Sequence, residues 1–162
     1  MNRDMSMDND EDRGDLSPLG WVREHVRQYE ETGGEVGHRM QGRTTAILTV
    51  TGRRTSKRRR TGVTYWLIHG EYVVVDSSGG SLDRPQWSRN IERTPGVSLQ
   101  VDAAVLRATA RVVTGQERTH LWAELVRRDP VYAEMQARTT RQFVIFVLSP
   151  TNPSREARGR PG

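Results

Sequence analysis

The sequence contains no cysteine. That excludes a disulfide framework, a thiol nucleophile and any zinc or iron–sulfur site built on thiolates. Long apolar runs are missing too. The longest, Phe143-Val144-Ile145-Phe146-Val147-Leu148, falls far short of the roughly 18 residues a membrane span needs. No apolar signal core opens the N-terminus, so the cytoplasm is the expected compartment. Neither the dinucleotide-binding pattern G-x-G-x-x-G nor the nucleophile elbow G-x-S-x-G occurs, and there are no internal repeats. The 4 histidines (His25, His38, His69, His120) lack metal-ligand spacing and read as helix-face or turn residues, so no metal is expected. Lysine is scarce: Lys57 is the one lysine among 25 basic residues.

The chain's 162 residues, 34% of them hydrophobic, fit one domain with a modest core. Residues Met1 to Leu16 are rich in Asp, Asn, Met and Arg without apolar periodicity. Residues Thr151 to Gly162 carry Asn-Pro, Arg-Gly and Arg-Pro-Gly. Neither end can bury enough surface to offset ordering entropy, so 1–16 and 151–162 are expected to be disordered tails around a domain over 17–150. The formal charge is +5, and Arg53, Arg54, Lys57, Arg58, Arg59 and Arg60 fall within eight positions. So dense a cluster attracts an anion, whether phosphate, carboxylate, nucleic acid or membrane head group. Nucleic acid is disfavoured, since no aromatics interleave with the arginines and no reader motif is present.

Ser17-Pro18 reads as a helix start and Gly33-Gly34 as its stop, with Trp21, His25 and Tyr29 at helical spacing between them. Thr44 to Val50, Gly62 to Ile68 and Tyr72 to Val75 read as strands, the last two a hairpin across His69-Gly70, and the basic run is a loop. Pro85 opens a short helix ended by Thr94-Pro95-Gly96. Val97 to Val101 and Val105 to Val113 are two further strands. Thr114 and Glu117 predict a capping box, with Leu121, Trp122, Leu125 and Val126 on the inner helix face. Pro130 starts another short helix, and Phe143 to Leu148 is the last strand. Six short, antiparallel strands with peripheral helices predict an α+β fold, mainly β, built as a partly open barrel.

Three features carry candidate chemistry. The first is the basic loop Thr51 to Thr61; alone it reads as a solvated hairpin. The second is Ser77-Ser78-Gly79-Gly80, whose glycines let backbone amides approach an anion. Asp76 beside these hydroxyls reads as a polar strand exit rather than part of a hydrolase triad. The third is Trp87 and Asn90 on successive turns of the Pro85 helix.

Together these features resemble the deazaflavin-dependent nitroreductase family. Leu48 to Lys57 is similar to its LTTTGRKSGK signature, Val73 to Gly80 to its VVVAS-GG strand and loop, and Pro85 to Ile91 to its P-WY-NL helix. The likeness runs in order from Trp21 to Pro150, through Arg107–Arg111, Glu117-Arg118 and Thr140-Arg141. It implies a six-stranded antiparallel split β-barrel like those of flavin-binding, pyridoxamine-phosphate-oxidase-like proteins. The implied function is hydride transfer from reduced coenzyme F420 to a small electron-poor acceptor: a quinone, an enone or a nitro compound. The implied cofactor residues are Arg53, Arg54, Thr55, Arg58, Arg59, Arg60, Thr61 and Thr64, with Ser77, Ser78, Gly79, Gly80, Trp87 and Asn90. Of these, Arg54 and the Arg58-Arg59 segment are placed at the cofactor's anionic tail, a charge guanidinium groups grip well. Tyr132 and Ser77 are the candidate catalytic donors of a proton or hydrogen bond.

The chain departs from the family at Gly62, where proline is common, at Ser88, where tyrosine follows Trp87, and at Asp129 and Met135, which replace tyrosines. A module that binds the deazaflavin, a lipid or a quinone with little turnover, or an FMN enzyme of the same fold, stays open beside the F420 reading. So do peripheral contact with a membrane and a monomer or homodimer as the assembly.

Overall fold

A computed structural model describes residues 20–40 and 42–151. The tail expected over 1–16 and the Ser17-Pro18 helix start lie outside the described residues, as does all of the second expected tail except Thr151. Helix α1 (Gly20–Thr32) buries Val26 and Tyr29 and ends at Gly33 and Gly34, at φ 64 and 90. Gly34 donates to the Tyr29 carbonyl at 2.8 Å, and a Cβ there would fall 2.5 Å from the Asp102 Cα. Only glycine serves that stop.

Strand β1 (Arg39–Met40) pairs with β2 (Arg43–Thr51), which forms an antiparallel hairpin with β3 (Arg58–Thr64). The turn is shorter than the basic loop expected. Gly52 closes it on the Lys57 carbonyl at 2.6 Å, and Arg58, Arg59 and Arg60 already pair with Thr51, Val50 and Thr49. The backbone groups at the end of β2 need partners, and three extended arginines supply them. The single strand expected over Gly62 to Ile68 is broken at Tyr65, giving β3 and β4 (Trp66–Ile68). Only β4 makes the hairpin with β5 (Glu71–Val75).

A short 3-10 turn (Ser78–Gly80) and helix α2 (Gln86–Arg93) follow, then β6 (Gly96–Val101) and β7 (Ala104–Val112). Helices α3 (Gly115–Arg128) and α4 (Val131–Ala137) lead into β8 (Ile145–Pro150). The expected capping box is absent: Thr114 makes no side-chain cap bond, and both Glu117 oxygens take the Arg111 guanidinium at 2.8 and 2.9 Å. A charged fork across β7 outcompetes a neutral backbone amide for that carboxylate.

Among the described residues eight strands stand in place of six, because β1 was unforeseen and Tyr65 splits one strand in two. Their order is β1-β2-β6-β7-β8-β5-β4, with β3 on the other side of β2. Strands β3 and β4 therefore lie at opposite ends of the ladder with Tyr65 alone between them in sequence. A chain that passes in one residue from one end to the other brings the ends together, so the antiparallel sheet curls into a split barrel. Ala46, Leu48, Val50, Leu99, Phe146 and Leu148 fill its interior. Alternate residues of the same strands face outward: Ile47 meets α1, and Ile145 and Val147 meet Leu121, Leu125 and Tyr132. Coverage of both faces of β8 explains the unbroken apolar run there.

Candidate functional site

The curl leaves a cleft of about 650 Å³ beside β3, within the range of small-molecule sites. Strand β3 contributes Thr61 to Thr64, the loop after β5 contributes Ser77 to Gly79, and α2 contributes Trp87. Helix α4 adds Tyr132 and Met135; Arg43 and His25 complete the wall. A narrow recess lined by Val50, Arg59, Arg60 and Asn90 shares Thr61 and Trp87 with this cleft.

Strand alternation sorts the arginines. Arg59 is buried, 6% exposed, and faces the recess. Arg60 reaches Glu30 of α1 at 2.6 Å. Arg53 is tied to Asn90, whose Oδ1 accepts from its backbone N–H at 3.0 Å and its guanidinium at 2.8 Å. Asn90 is 1% exposed, and its Nδ2 has no hydrogen-bond partner among the described residues. A buried amide donor without an acceptor is costly, so an acceptor on a bound molecule fits this position. Arg54, Thr55 and Arg58 are exposed near the turn and line neither cavity. Thr55 Oγ1 accepts from the Lys57 N–H at 3.2 Å, and Arg58 donates to Ser98 at 3.2 Å. Gly80 lies under α4, where a Cβ would sit 3.4 Å from Met135.

The Ser77–Gly80 loop is held by a group sequence reasoning passed over. Asp76, fully buried, accepts from Ser88 Oγ at 2.7 Å, the Val144 N–H at 2.7 Å, Arg84 Nε at 3.3 Å and Arg141 Nη1 at 3.2 Å. Arg141 also donates to the carbonyls of Asp76, Ser77 and Ser81, so one guanidinium straps the whole loop. Ser78 sits at φ 48 and Gly79 at φ 66, a left-handed pair such a strap can hold. Ser88 is thus part of the clamp. No signal at Asp76, Arg84 or Arg141 alone announces it; the three meet only in the folded chain.

The Tyr132 hydroxyl accepts from the Trp66 indole at 2.8 Å, which leaves its own proton available as a hydrogen-bond donor. Burial pushes this phenol above its ordinary range, so it holds that proton tightly. Asp129 accepts from Arg43 at 2.5 Å, and that bond holds its carboxyl below the usual aspartate range. Gly62 has a local reason as well: a Cβ there would lie 2.7 Å from the His25 ring. Gly62→Ala is expected to overpack this contact and cost about 1–3 kcal/mol, read from denaturant unfolding.

Residues 21–150 match the family model described as F420H(2)-dependent quinone reductase. The chain belongs to that family. An F420H(2)-dependent quinone reductase of Mycobacterium tuberculosis strain H37Rv is 32% identical over 133 residues, 79% of this chain and 89% of that protein. Among solved structures, an F420-H2 dependent reductase is 35% identical with a TM-score of 0.59, covering 65% of this chain and 93% of its own. A domain-swapped dimer is 34% identical with a TM-score of 0.63, covering 82% and 100%. This member of the F420H(2)-dependent quinone reductases is therefore an oxidoreductase on a split barrel, and coenzyme F420 is the family's cofactor. Its cleft has the space for such a group, and beside it buried Arg59 suits an anion and the Asn90 amide an acceptor oxygen. Among the described residues no helix is long and apolar enough to cross a membrane.

Proposed function

We propose that the cleft binds reduced F420 and that the protein reduces a quinone there. The observation that carries this is the meeting of Thr61, Thr64, Ser77, Ser78, Gly79, Trp87 and Tyr132 in one cleft beside the Arg59–Asn90 recess. When bound, the reduced deazaflavin supplies a hydride. Arg59 and Asn90 hold its polar portion at the recess; Arg53 orients Asn90, and Arg54, Thr55, Arg58 and Arg60 form the outer basic rim for an anionic tail. Thr61, Thr64, Ser77, Ser78, Gly79 and Gly80 shape the wall against the ring system, and Trp87 packs at the junction. Tyr132 and Ser77 donate hydrogen bonds to the oxygen that gains charge.

The test is direct: F420H2 oxidation by menadione, beside binding titrations with F420 and FMN. Turnover with tighter F420 binding supports the reading. Binding without turnover of any quinone, enone or nitro compound favours a carrier module, and tighter FMN binding favours a flavin enzyme. We also place the protein in the cytoplasm, as a monomer or homodimer. A domain-swapped structural relative keeps the dimer in view.

The acceptor side bears on substrate choice. Met135 lines the cleft, whereas Asp129 is engaged by Arg43. Bicyclic nitroimidazoles are expected to be poor substrates. Met135→Tyr is expected to raise their kcat/KM about two- to tenfold, the worth of one aromatic contact. Asp129→Tyr is expected to do less, because it also removes the Arg43 partner. Steady-state assays of the two single variants check the order.

A further inference from the structure

A quinone that accepts a hydride needs a proton as well, and the donors already named are poor sources. Tyr132 holds its proton tightly, and a serine hydroxyl such as Ser77 does not titrate near neutrality. His25, read from the sequence as a helix-face residue, lines the same cleft, and among the described residues it is the one histidine that does.

Its ring is held in place by its neighbours while it borders the cleft. Nε2 lies 3.0 Å from the Gly37 carbonyl. A carbonyl only accepts, so Nε2 is the nitrogen that carries the proton there, and Nδ1 is the one left to exchange a proton with a bound molecule. The Nδ1–Cε1 edge lies against Gly62 in the cleft wall, 2.7 Å from where a Cβ would stand. The opposite edge packs on Gly37, 3.1 Å from a Cβ built there. Tyr29 meets the ring edge-on at 5.9 Å. Tyr29 is itself locked, donating to the Thr45 carbonyl at 3.0 Å and accepting from the Asp102 N–H at 2.8 Å. No hydrogen bond to Nδ1 is found among the described residues.

We propose that His25, through Nδ1, is the proton donor to the acceptor oxygen in quinone reduction. The inference rests on the quinone-reductase reading above. Hydride addition takes an electron pair from the reduced cofactor and leaves one quinone oxygen as an oxyanion. The O–H bond forms there as the Nδ1–H bond of the imidazolium breaks, and solvent reprotonates the ring. The charged and titratable groups around the ring are Tyr29 on α1, His38 beyond it and the Arg60–Glu30 pair between β3 and α1. Arg43, paired with Asp129, and Tyr132 line the cleft. Arg60 and Arg43 are each matched by a carboxylate.

His25→Gln is the informative variant, because the glutamine amide can keep the bond to the Gly37 carbonyl but has no imidazolium proton to give. In the native protein kcat/KM for menadione is expected to fall as rising pH removes the ring's second proton. The variant is expected to lose that falling limb and to be slower by about 100-fold at the acid end at saturating F420, its F420 affinity being measured by titration. A variant that retains the falling limb overturns the proposal. A second readout needs no turnover: proton NMR of the His25 Cε1–H, titrated with oxidised F420 bound and with or without an anionic hydroxynaphthoquinone. The imidazole's midpoint is expected to rise when the anion is added, as an oxyanion beside Nδ1 requires; an unmoved midpoint overturns the proposal. If the native protein reduces no quinone, the functional reading fails, and the NMR titration still decides whether Nδ1 meets an acceptor's oxyanion.

Discussion

Asp76→Ala should cost about 3–5 kcal/mol of folding stability, the loss expected when one partner of a buried ion network is removed. The carboxylate is fully buried and receives four donors, two of them guanidinium groups. Without it, Arg84 and Arg141 stay largely buried with their charges facing a void. The lower end of the range is expected, because Arg84 keeps Glu92 at 2.8 Å and Arg141 keeps the carbonyls of Ser77 and Ser81. For a domain stable by about 5–15 kcal/mol this is a large share. Denaturant midpoints measure it. The same variant should bind F420 more weakly at temperatures where it stays folded, since Arg141 no longer straps Ser77 to Ser81 against a fixed anchor. A loss below about 1 kcal/mol would mean that the loop holds its shape without the clamp.

Arg59→Ala should weaken F420 binding about ten- to a hundredfold, the worth of one charge-assisted hydrogen bond of about 1.5–3 kcal/mol. Arg60→Ala should stay within about fivefold, because its guanidinium is directed at Glu30 and a pair of that exposure is worth about 1 kcal/mol at most. Both arginines border the recess, but the register pairs Arg59 with Val50 and Arg60 with Thr49, and the Arg60 guanidinium is held by Glu30 of α1. Raising salt should weaken binding of the full coenzyme and affect a tail-truncated deazaflavin much less, the Debye length being about 8 Å at physiological ionic strength. Equal, small effects of both substitutions with salt-independent binding would return the basic run to a solvated hairpin.

Much of the site was legible because it is written in short stretches. Ser77-Ser78-Gly79 follows an apolar strand, and Trp87 and Asn90 stand one turn apart on a helix opened by proline. Both patterns are local and survive without knowledge of the fold. The charged residues were less legible. Arg53 to Arg60 form one undivided basic run in the sequence. In the protein they do four things: Arg53 sets Asn90, Arg59 lines the recess, Arg60 docks α1 and Arg58 meets Ser98. Glu117 misled for the same reason, since its position suited a cap until β7 brought Arg111 within reach.

The sequence by itself determined the order of strands and helices, the turns at Gly33-Gly34 and His69-Gly70, and the motif set that marks an F420 protein. Period-two runs, glycines at forced turns and prolines at helix starts act over a few residues, so neighbours alone decide them. Only the tertiary structure decided that the sheet closes at Tyr65, that Asp76 is clamped by an arginine 65 positions away, and that the His25 ring lies against Gly62. Those contacts join segments distant in sequence, and their energies depend on burial and register that exist only once the barrel has curled.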